Sequence, residues 1–202
     1  MALWRAADPL VLASKSNVRR ALLTAAGVAV EIVPSDVDER AVEAAAPAAS
    51  PPAAAALLAR AKASAVARLH PGRLVLGADQ VLALDGQRFT KPADRAAARV
   101  QLRALAGRSH QLHSAIAFVQ DTTVLLEHVG TASLTMRTFS HEFLELYLDA
   151  AGAAATESVG AYQLEGLGVQ LFEHVDGDYF TVLGLPLLAA LNFLRRHGCL
   201  LQ

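Results

Sequence analysis

The sequence predicts an α/β fold in which a mixed, twisted sheet is flanked by helices. Two observations favour this class: strand-to-helix turns come early in the chain, and hairpin-like pairs of apolar runs come late. A third is size, since 202 residues with a hydrophobic fraction of 53% suffice for a substantial core. We therefore predict a single domain over residues 1–202. Ligands of such sheets bind near the carboxyl ends of the strands, where we expect the site.

Charge and composition exclude several classes of function. Lys and Arg total 18 against 19 Asp and Glu, so the chain lacks the basic surplus that binds polymeric nucleic acid. The longest apolar run, residues 182–191, is broken by Gly184 and Pro186 and is shorter than the about 20 residues that span a bilayer. Residues 1–8 lack the pattern of a signal peptide, and Cys199 is the only cysteine. We expect a cytoplasmic protein that binds no membrane.

The first predicted strand covers residues 10–13 and leads through a polar loop, residues 14–17, into a helix over residues 18–26 that ends at Gly27. Two serines and three cations surround this junction. Free N–H groups and the dipole at a helix N-terminus favour a phosphate. A Ser or Asn N-cap on an ordinary amphipathic helix explains the same residues equally well, so both interpretations stay open.

A second predicted strand, residues 28–33, ends at Pro34 in an acidic loop with three acids among residues 36–39. Such loops are usually only solvated, but at a strand end this one suits Mg²⁺, which takes one or two carboxylates besides water and phosphate oxygens. The alanine- and proline-rich stretch at residues 41–56 predicts no function.

A helix is predicted to start with Ser50 as its N-cap and Pro51 at its first position, and to continue through residues 53–70. It carries one lysine, Lys62, whose simplest interpretation is a solvated surface residue.

The run at residues 74–84 carries a carboxylate, Asp79, in the middle of an apolar strand. An ionised carboxylate without a partner is costly to bury, so Asp79 is paired, solvated at a cleft, or functional. Asp85 and Gly86 have the sequence of a tight hairpin turn, and Lys91 follows a short return segment. We therefore expect Asp79 and Lys91 to form two sides of one site.

The remaining elements continue the mixed pattern. Further strands are predicted over residues 111–118, 124–136 and 169–175, and further helices over residues 94–106, 140–151 and 186–198. The glycine-rich segment at residues 160–168 matches neither the dinucleotide fingerprint nor the Walker loop.

The sequence lacks the residues that several catalytic chemistries require. His110 and His113 would face opposite sides of a strand, so they do not predict a zinc site. The sequence has no Gly-x-Ser-x-Gly elbow for acyl transfer. The remaining carboxylates, cations and hydroxyls suit metal-assisted hydrolysis of a phosphate anhydride.

Eight short motifs follow one another in order over nearly the whole chain. They are residues 12–20, 38–39, 61–63, 77–80, 91–92, 105–110, 160–162 and 177–186. Any one of them is weak, but together they resemble the Maf family of nucleotide pyrophosphatases.

This resemblance implies a cleft between two lobes and hydrolysis of a nucleoside triphosphate to the monophosphate and pyrophosphate. It also implies a divalent cation, Mg²⁺ or Mn²⁺. Asp79 matches the family's proton acceptor and would deprotonate the attacking water, whose pKa a metal lowers in some sites from about 15.7 to about 7. Positions matching the family's phosphate- and metal-site residues are Ser14, Arg19, Lys62 and Lys91 for the phosphates and Glu39 for the metal.

Three positions, Val18, Gln80 and Glu165, bear on base selection. The branch acting on dTTP and UTP usually has Thr and Gln where this chain has Gln80 and Glu165, which resemble the branch that hydrolyses 7-methyl-GTP. A carboxylate can accept from the N1–H and N2–H edge of guanine and offset the charge of N7-methylation. The first loop departs from that branch: Asn17 replaces the usual Pro, and Val18 replaces an aromatic residue that would offer a cationic base a π face.

Two alternatives stay open. One is the same enzyme acting on dTTP, UTP or another modified nucleotide. The other is a nucleotide-binding regulator of cell division with little turnover, suggested by the family's link to septum formation. Besides the nucleoside triphosphate, a second copy of the chain, forming a homodimer, is a candidate partner.

Overall fold

The computed structural model describes residues 3–202, in which seven strands form one mixed sheet. The first two residues of the predicted domain lie outside the described residues. The strands are β1 Leu10–Leu12, β2 Val30–Ile32, β3 Leu74–Leu84, β4 Gln87–Phe89, β5 Ser109–Gln120, β6 Thr123–Met136 and β7 Phe172–Asp176. The helices are α1 Asn17–Ala25, α2 Glu39–Ala44, α3 Pro51–Ala67, α4 Arg95–Leu105, α5 His141–Ala151, α6 Ala154–Glu157, α7 Tyr179–Val182 and α8 Leu187–Arg196.

The strand order across the sheet is β2-β1-β3-β5-β6-β7, and β4 pairs with β3. Strand β1 is parallel to β2 and β3, whereas β3, β4, β5, β6 and β7 pair antiparallel. The predicted mixed α/β sheet flanked by helices is therefore confirmed. Within residues 3–202, no helix has the length and apolar character that crossing a bilayer requires.

Strand β3, like β5 and β6, contributes to two separate apolar cores. On one face of the sheet its first half packs under α1 and α8, and its last residues pack with α4 and α5 in a separate core. The opposite face is covered by α3, whose alanines pack on Val75, Val81 and the neighbouring residues of β5. We call these surfaces the α7 face, after the short helix α7 that lies between the two cores, and the α3 face.

Helix α3 packs closely on the sheet at Gly77. A Cβ atom at Gly77 would lie 2.1 Å from the carbonyl oxygen of Ala59 and 2.7 Å from the backbone nitrogen of Ala63. Helix α3 therefore approaches the sheet as closely as backbone contact allows, because Gly77 has no side chain and the facing residues are alanines.

The hairpin after β3 has the predicted turn. Asp85 and Gly86 have φ angles of 51° and 79°, the left-handed conformation that a two-residue hairpin turn requires. The predicted strand at residues 169–175 is wrong in its first part, because Leu167–Leu171 forms a 3₁₀ turn and β7 begins at Phe172. A Cβ at Gly168 would lie 2.4 Å from the carbonyl oxygen of Gln163, so this segment packs as a tight turn on its own backbone. Helix α2 was not predicted.

Candidate active site

Asp79 lies in the middle of β3 on the α3 face and is 7% exposed. Its Oδ1 atom is 2.6 Å from the Nζ atom of Lys62 on α3, and the same Nζ is 2.7 Å from Oε1 of Glu39 at the start of α2. One ammonium group therefore joins two carboxylates, and the three side chains come from three different elements. The simplest interpretation of Lys62, a solvated surface residue, is wrong, because its side chain is only 12% exposed.

The electrostatics of Asp79 suit a base. Burial raises the pKa of the Asp79 carboxyl above its ordinary value, and the charges of Lys62 and Arg19 oppose this rise. A raised pKa makes the carboxylate a better proton acceptor, while the two cations keep the ionised form accessible.

The first loop and α1 place a guanidinium beside Asp79. Ser16 is the N-cap of α1, since its Oγ accepts from the backbone N–H of Arg19 at 3.3 Å. The Arg19 side chain donates from Nε to the Gly184 carbonyl at 2.8 Å, and from Nη1 to the Ala78 carbonyl at 2.8 Å and to Ser14 Oγ at 3.2 Å. The N-cap interpretation of this loop is confirmed by Ser16, and phosphate binding beside Ser14 stays a prediction.

One nitrogen of Arg19, Nη2, is available to a ligand, because it has no hydrogen-bond acceptor among the described residues. Burial lowers the pKa of the Arg19 guanidinium, although the charges of Asp79 and Glu39 oppose this. A guanidinium nonetheless stays protonated in proteins, so Arg19 is a poorly solvated cation suited to an anionic ligand.

Strand β3 has a gap in its pairing along one edge. On one side it pairs with β1 only at Val75 and Leu76 and with β4 only at Leu82–Leu84. In the part of the chain that the structure describes, no strand covers this edge between the two pairings. Arg19 enters the gap and binds the Ala78 carbonyl there.

Gln80 faces away from Asp79, as the alternation of a regular strand predicts. The β3–β5 register runs without a shift from Leu74 to Ala83, so Gly77 introduces no kink. Gln80 Nε2 lies 2.9 Å from the Val182 carbonyl, 3.3 Å from the Thr181 carbonyl and 3.0 Å from Ser114 Oγ. The amide nitrogen is therefore held by α7 and β5.

The structure does not bring every predicted site residue into contact. Lys91 is exposed, and no ion pair among residues 3–202 includes it, so the cation found beside Asp79 is Lys62. Val18 is partly buried in the first turn of α1. Glu165 is exposed on the turn before Gly166 and has no hydrogen-bonding partner among the described side chains.

The histidines behave as predicted. His110 Nε2 is hydrogen bonded to the Tyr162 hydroxyl at 2.8 Å, whereas His113 Nδ1 faces Thr131 Oγ1 at 3.0 Å on the other side of β5. Burial lowers the pKa of His110 to about 4, so this side chain is neutral at physiological pH.

Glu39 and Asp79 are the carboxylates nearest to the place where the divalent cation is expected. Among residues 3–202, no group of three or more His, Cys, Asp or Glu side chains converges. Glu39 and Asp79 nevertheless both contact one cation, the Lys62 ammonium, so the two carboxylates lie on either side of a positive charge. Mg²⁺ needs only one or two carboxylates when phosphate oxygens and water complete its shell, and this donor set fits it. Asp38 of the same acidic loop caps α2 instead, accepting from Ala41 N–H at 3.1 Å.

Three features of the site were not predicted from the sequence: Ser114, Thr181 and the packing role of Gly77. Ser114 is fully buried in β5, and its Oγ donates to the Thr181 carbonyl at 2.7 Å. The signal that singled out Asp79, a polar residue within an apolar strand, was also present at Ser114. The Thr181 contact had no such signal, because it is made by a backbone carbonyl.

Comparisons with known proteins cover nearly the whole chain. A family model described as Maf-like protein matches residues 9–197. A nucleoside triphosphate pyrophosphatase of Rhodopseudomonas palustris is 54% identical over 200 residues, 99% of each chain. A protein of Bradyrhizobium diazoefficiens with the same name is 54% identical over 195 residues, 96% of each chain. A protein of Mesorhizobium japonicum named 7-methyl-GTP pyrophosphatase is 51% identical, covering 96% of this chain and 98% of the relative.

Among solved structures, a HAM1 protein from Coxiella burnetii is similar with a TM-score of 0.45 and 18% identity. The similarity covers 63% of this chain and 72% of that chain.

Proposed function

The chain belongs to the Maf family, and we propose that it is a pyrophosphatase whose preferred nucleoside triphosphate is 7-methyl-GTP. Relatives that are about half identical over the full length carry the name nucleoside triphosphate pyrophosphatase, which makes this chain an enzyme of that activity. The observation that supports hydrolysis best is the buried Asp79 carboxylate, 2.6 Å from Lys62 and beside Arg19 and Glu39.

The reaction we propose is attack of water on the α-phosphorus. Asp79 takes the proton of the water, the new bond forms between the water oxygen and phosphorus, and the bond to the bridging oxygen breaks. Pyrophosphate leaves with the electron pair of that bond, and the nucleoside monophosphate remains. A carboxylate with a raised pKa is suited to receive this proton because proton transfer is most efficient when the pKa approaches the working pH.

The cations of the site stabilise the triphosphate. Arg19 presents Nη2 while its other two nitrogens are fixed by Gly184, Ala78 and Ser14, so the group is positioned before substrate binds. Lys62 is held by Asp79 and Glu39, and Lys91 is an exposed cation that would bind the outer phosphates.

Glu39 would hold the divalent cation, Mg²⁺ or Mn²⁺, beside Asp79. When bound, the cation supplies charge neutralisation for the phosphates and acidifies water. The chain's own part is to keep the two carboxylates together, which α2, α3 and β3 do through Lys62.

Base selection is assigned to Val18, Gln80 and Glu165. Gln80 donates its amide N–H groups to protein oxygens, which leaves its Oε1 as an acceptor for base N–H groups. Glu165 is an exposed carboxylate that can accept from the guanine edge and balance the charge of a methylated base. The Mesorhizobium relative, named 7-methyl-GTP pyrophosphatase, supports this choice of substrate.

The test is a nucleotide panel assayed with the purified full chain and Mg²⁺ or Mn²⁺. We expect 7-methyl-GTP to give the highest kcat/KM, with 7-methyl-GMP and pyrophosphate as equimolar products. A higher kcat/KM for UTP or dTTP would replace the proposed substrate by the alternative. Nucleotide binding without pyrophosphate release for every member of the panel would favour a regulator instead.

A further inference from the structure

A row of polar or small residues separates the two apolar cores on the α7 face. Gln80 on β3 pairs with Ser114 on β5, and Ser114 pairs with Gly130 on β6. Leu82 and Leu112 lie on one side of this row in one core, and Ala78 and Ile116 lie on the other side in the second core.

The backbone of α7 sits on this row. A Cβ at Gly130 would lie 2.6 Å from Thr181 Oγ1, so the missing side chain is what admits α7. Thr181 is held from its other side by Asp178, whose Oδ2 accepts from Thr181 N at 2.8 Å and from Oγ1 at 3.0 Å. These contacts fix the distance of α7 from the sheet and the orientation of Thr181.

Ser114 is the member of the row that uses its hydroxyl twice. Its Oγ donates to the Thr181 carbonyl at 2.7 Å and accepts from Gln80 Nε2 at 3.0 Å. Because Ser114 Oγ and the Thr181 and Val182 carbonyls all accept from the same nitrogen, the amide of Gln80 has one favourable orientation. That orientation turns Oε1 away from α7.

The free oxygen of Gln80 and the free nitrogen of Arg19 approach the same point. A Cβ built on Gly184 would lie 3.6 Å from Gln80 Oε1 and 3.4 Å from Arg19 Nη2. Gly184 also accepts from Arg19 Nε through its carbonyl, and it follows α7 after only one residue. The turn that Ser114 holds therefore positions an acceptor and a cationic donor together.

We infer that Ser114 is a positioning residue for base selection, acting through Gln80 and the turn from Asp178 to Gly184. It touches no substrate. Its hydroxyl orients the Gln80 amide so that Oε1 lies near Arg19 Nη2 as an acceptor for a base N–H, and it keeps the Gly184 carbonyl in place for Arg19. The inference rests on the proposed function, since it assigns Gln80 to the base.

The experiment compares Ser114→Ala with the wild-type chain on 7-methyl-GTP, GTP and UTP. Loss of one hydrogen bond that orients Gln80 is expected to lower the ratio of kcat/KM for 7-methyl-GTP over UTP about tenfold, mainly through KM. The variant Ser114→Cys retains a weak donor on a somewhat larger atom, and its substrate ratio should lie between those of wild type and alanine.

Thr131→Val is the matched control. This substitution also removes a hydroxyl that is hydrogen bonded to a β5 side chain, His113. His113 immediately precedes Ser114 and points to the α3 face. Thermal unfolding of each variant reports the structural cost, and Thr131→Val is expected to retain the wild-type substrate ratio.

Two results would overturn the inference. One is a substrate ratio for Ser114→Ala equal to that of the wild type. The other is an equal loss of kcat/KM on every nucleotide in proportion to the loss of stability, which is the behaviour of a purely structural residue. The proposed function fails separately, if the wild-type chain prefers another nucleotide; the ratio between its best and second substrates then still tests Ser114.

Discussion

The two faces of β3 carry different chemistry although Asp79 and Gln80 are neighbours in the chain. On the α3 face, Asp79 meets Lys62 and, through it, Glu39, so the contacts are between charges. On the α7 face, Gln80 meets a hydroxyl and two backbone carbonyls, so the contacts are neutral. The contacts of Asp79 and those of Gln80 are separated because successive side chains of a strand point to opposite faces of the sheet. On the proposed function, the proton acceptor and the base-selecting amide lie on opposite faces, so we expect substitutions of Asp79 and Gln80 to have different effects on turnover and on substrate ratio.

The largest effect is expected from Asp79→Asn. The amide cannot accept the proton of water, so kcat should fall by about 10²- to 10⁴-fold on every nucleotide while the substrate ratio stays as in the wild type. Asp85→Asn is the matched control, since it makes the same change in the hairpin turn of the same strand, where Asn also tolerates a positive φ. Wild-type turnover of Asp79→Asn would show that Asp79 is not the base.

Gly77→Ala tests whether the α3 face depends on backbone contact. The new Cβ would lie 2.1 Å from the Ala59 carbonyl, so α3 must move, and we expect a loss of about 3 kcal/mol in the free energy of unfolding. Lys62 would move with the helix, so kcat should fall as well. Gly166→Ala is the control, because its Cβ would lie 3.8 Å from the nearest atom, in ordinary contact. Denaturant unfolding that gives equal stabilities for the two variants would contradict this account of the packing.

Gln80→Thr tests the α7 face. Thr cannot span the distances that the Gln80 amide covers, so the ratio of kcat/KM for 7-methyl-GTP over UTP should fall about tenfold, the size of one lost oriented hydrogen bond. The kcat on the better substrate should change only a few-fold, because Asp79 and Lys62 lie on the other face. Gln120→Thr, at the far end of β5, should leave the ratio unchanged. An equal loss of kcat/KM on all nucleotides would show that Gln80 does not act on base selection alone.

The finest test is the pH dependence of kcat/KM. Asp79 must be ionised to act as a base, and burial raises its pKa, so activity should fall on acidification at a pH above the ordinary pKa of an aspartate. Lys62 lowers this pKa and Glu39 raises it. Lys62→Met should therefore move the acidic limb of the profile to higher pH, and Glu39→Gln should move it to lower pH. Shifts in the same direction for both variants would exclude Asp79 as the titrating group.

Local features of the fold could be predicted because they depend on neighbouring residues. The tight turn at Asp85 and Gly86, the Ser16 region as a helix start, and the opposite directions of Asp79 and Gln80 follow from backbone preferences and strand alternation. The boundary of β7 was predicted incorrectly because Gly168 packs on the Gln163 backbone, a contact that a run of apolar residues does not reveal.

The sequence by itself determined that a carboxylate lies in a buried strand and that Gln80 faces away from it. Only the tertiary structure decided which cation pairs with Asp79. Lys91 follows in the same hairpin and was expected there, but Lys62, 17 residues before Asp79, reaches it because α3 lies directly on Gly77. The tertiary structure likewise brought Ser114 and Thr181, 67 residues apart, into contact below Gln80. Such contacts depend on how closely two backbones pack, and the alanines and glycines that allow close packing carry no chemical signal of their own.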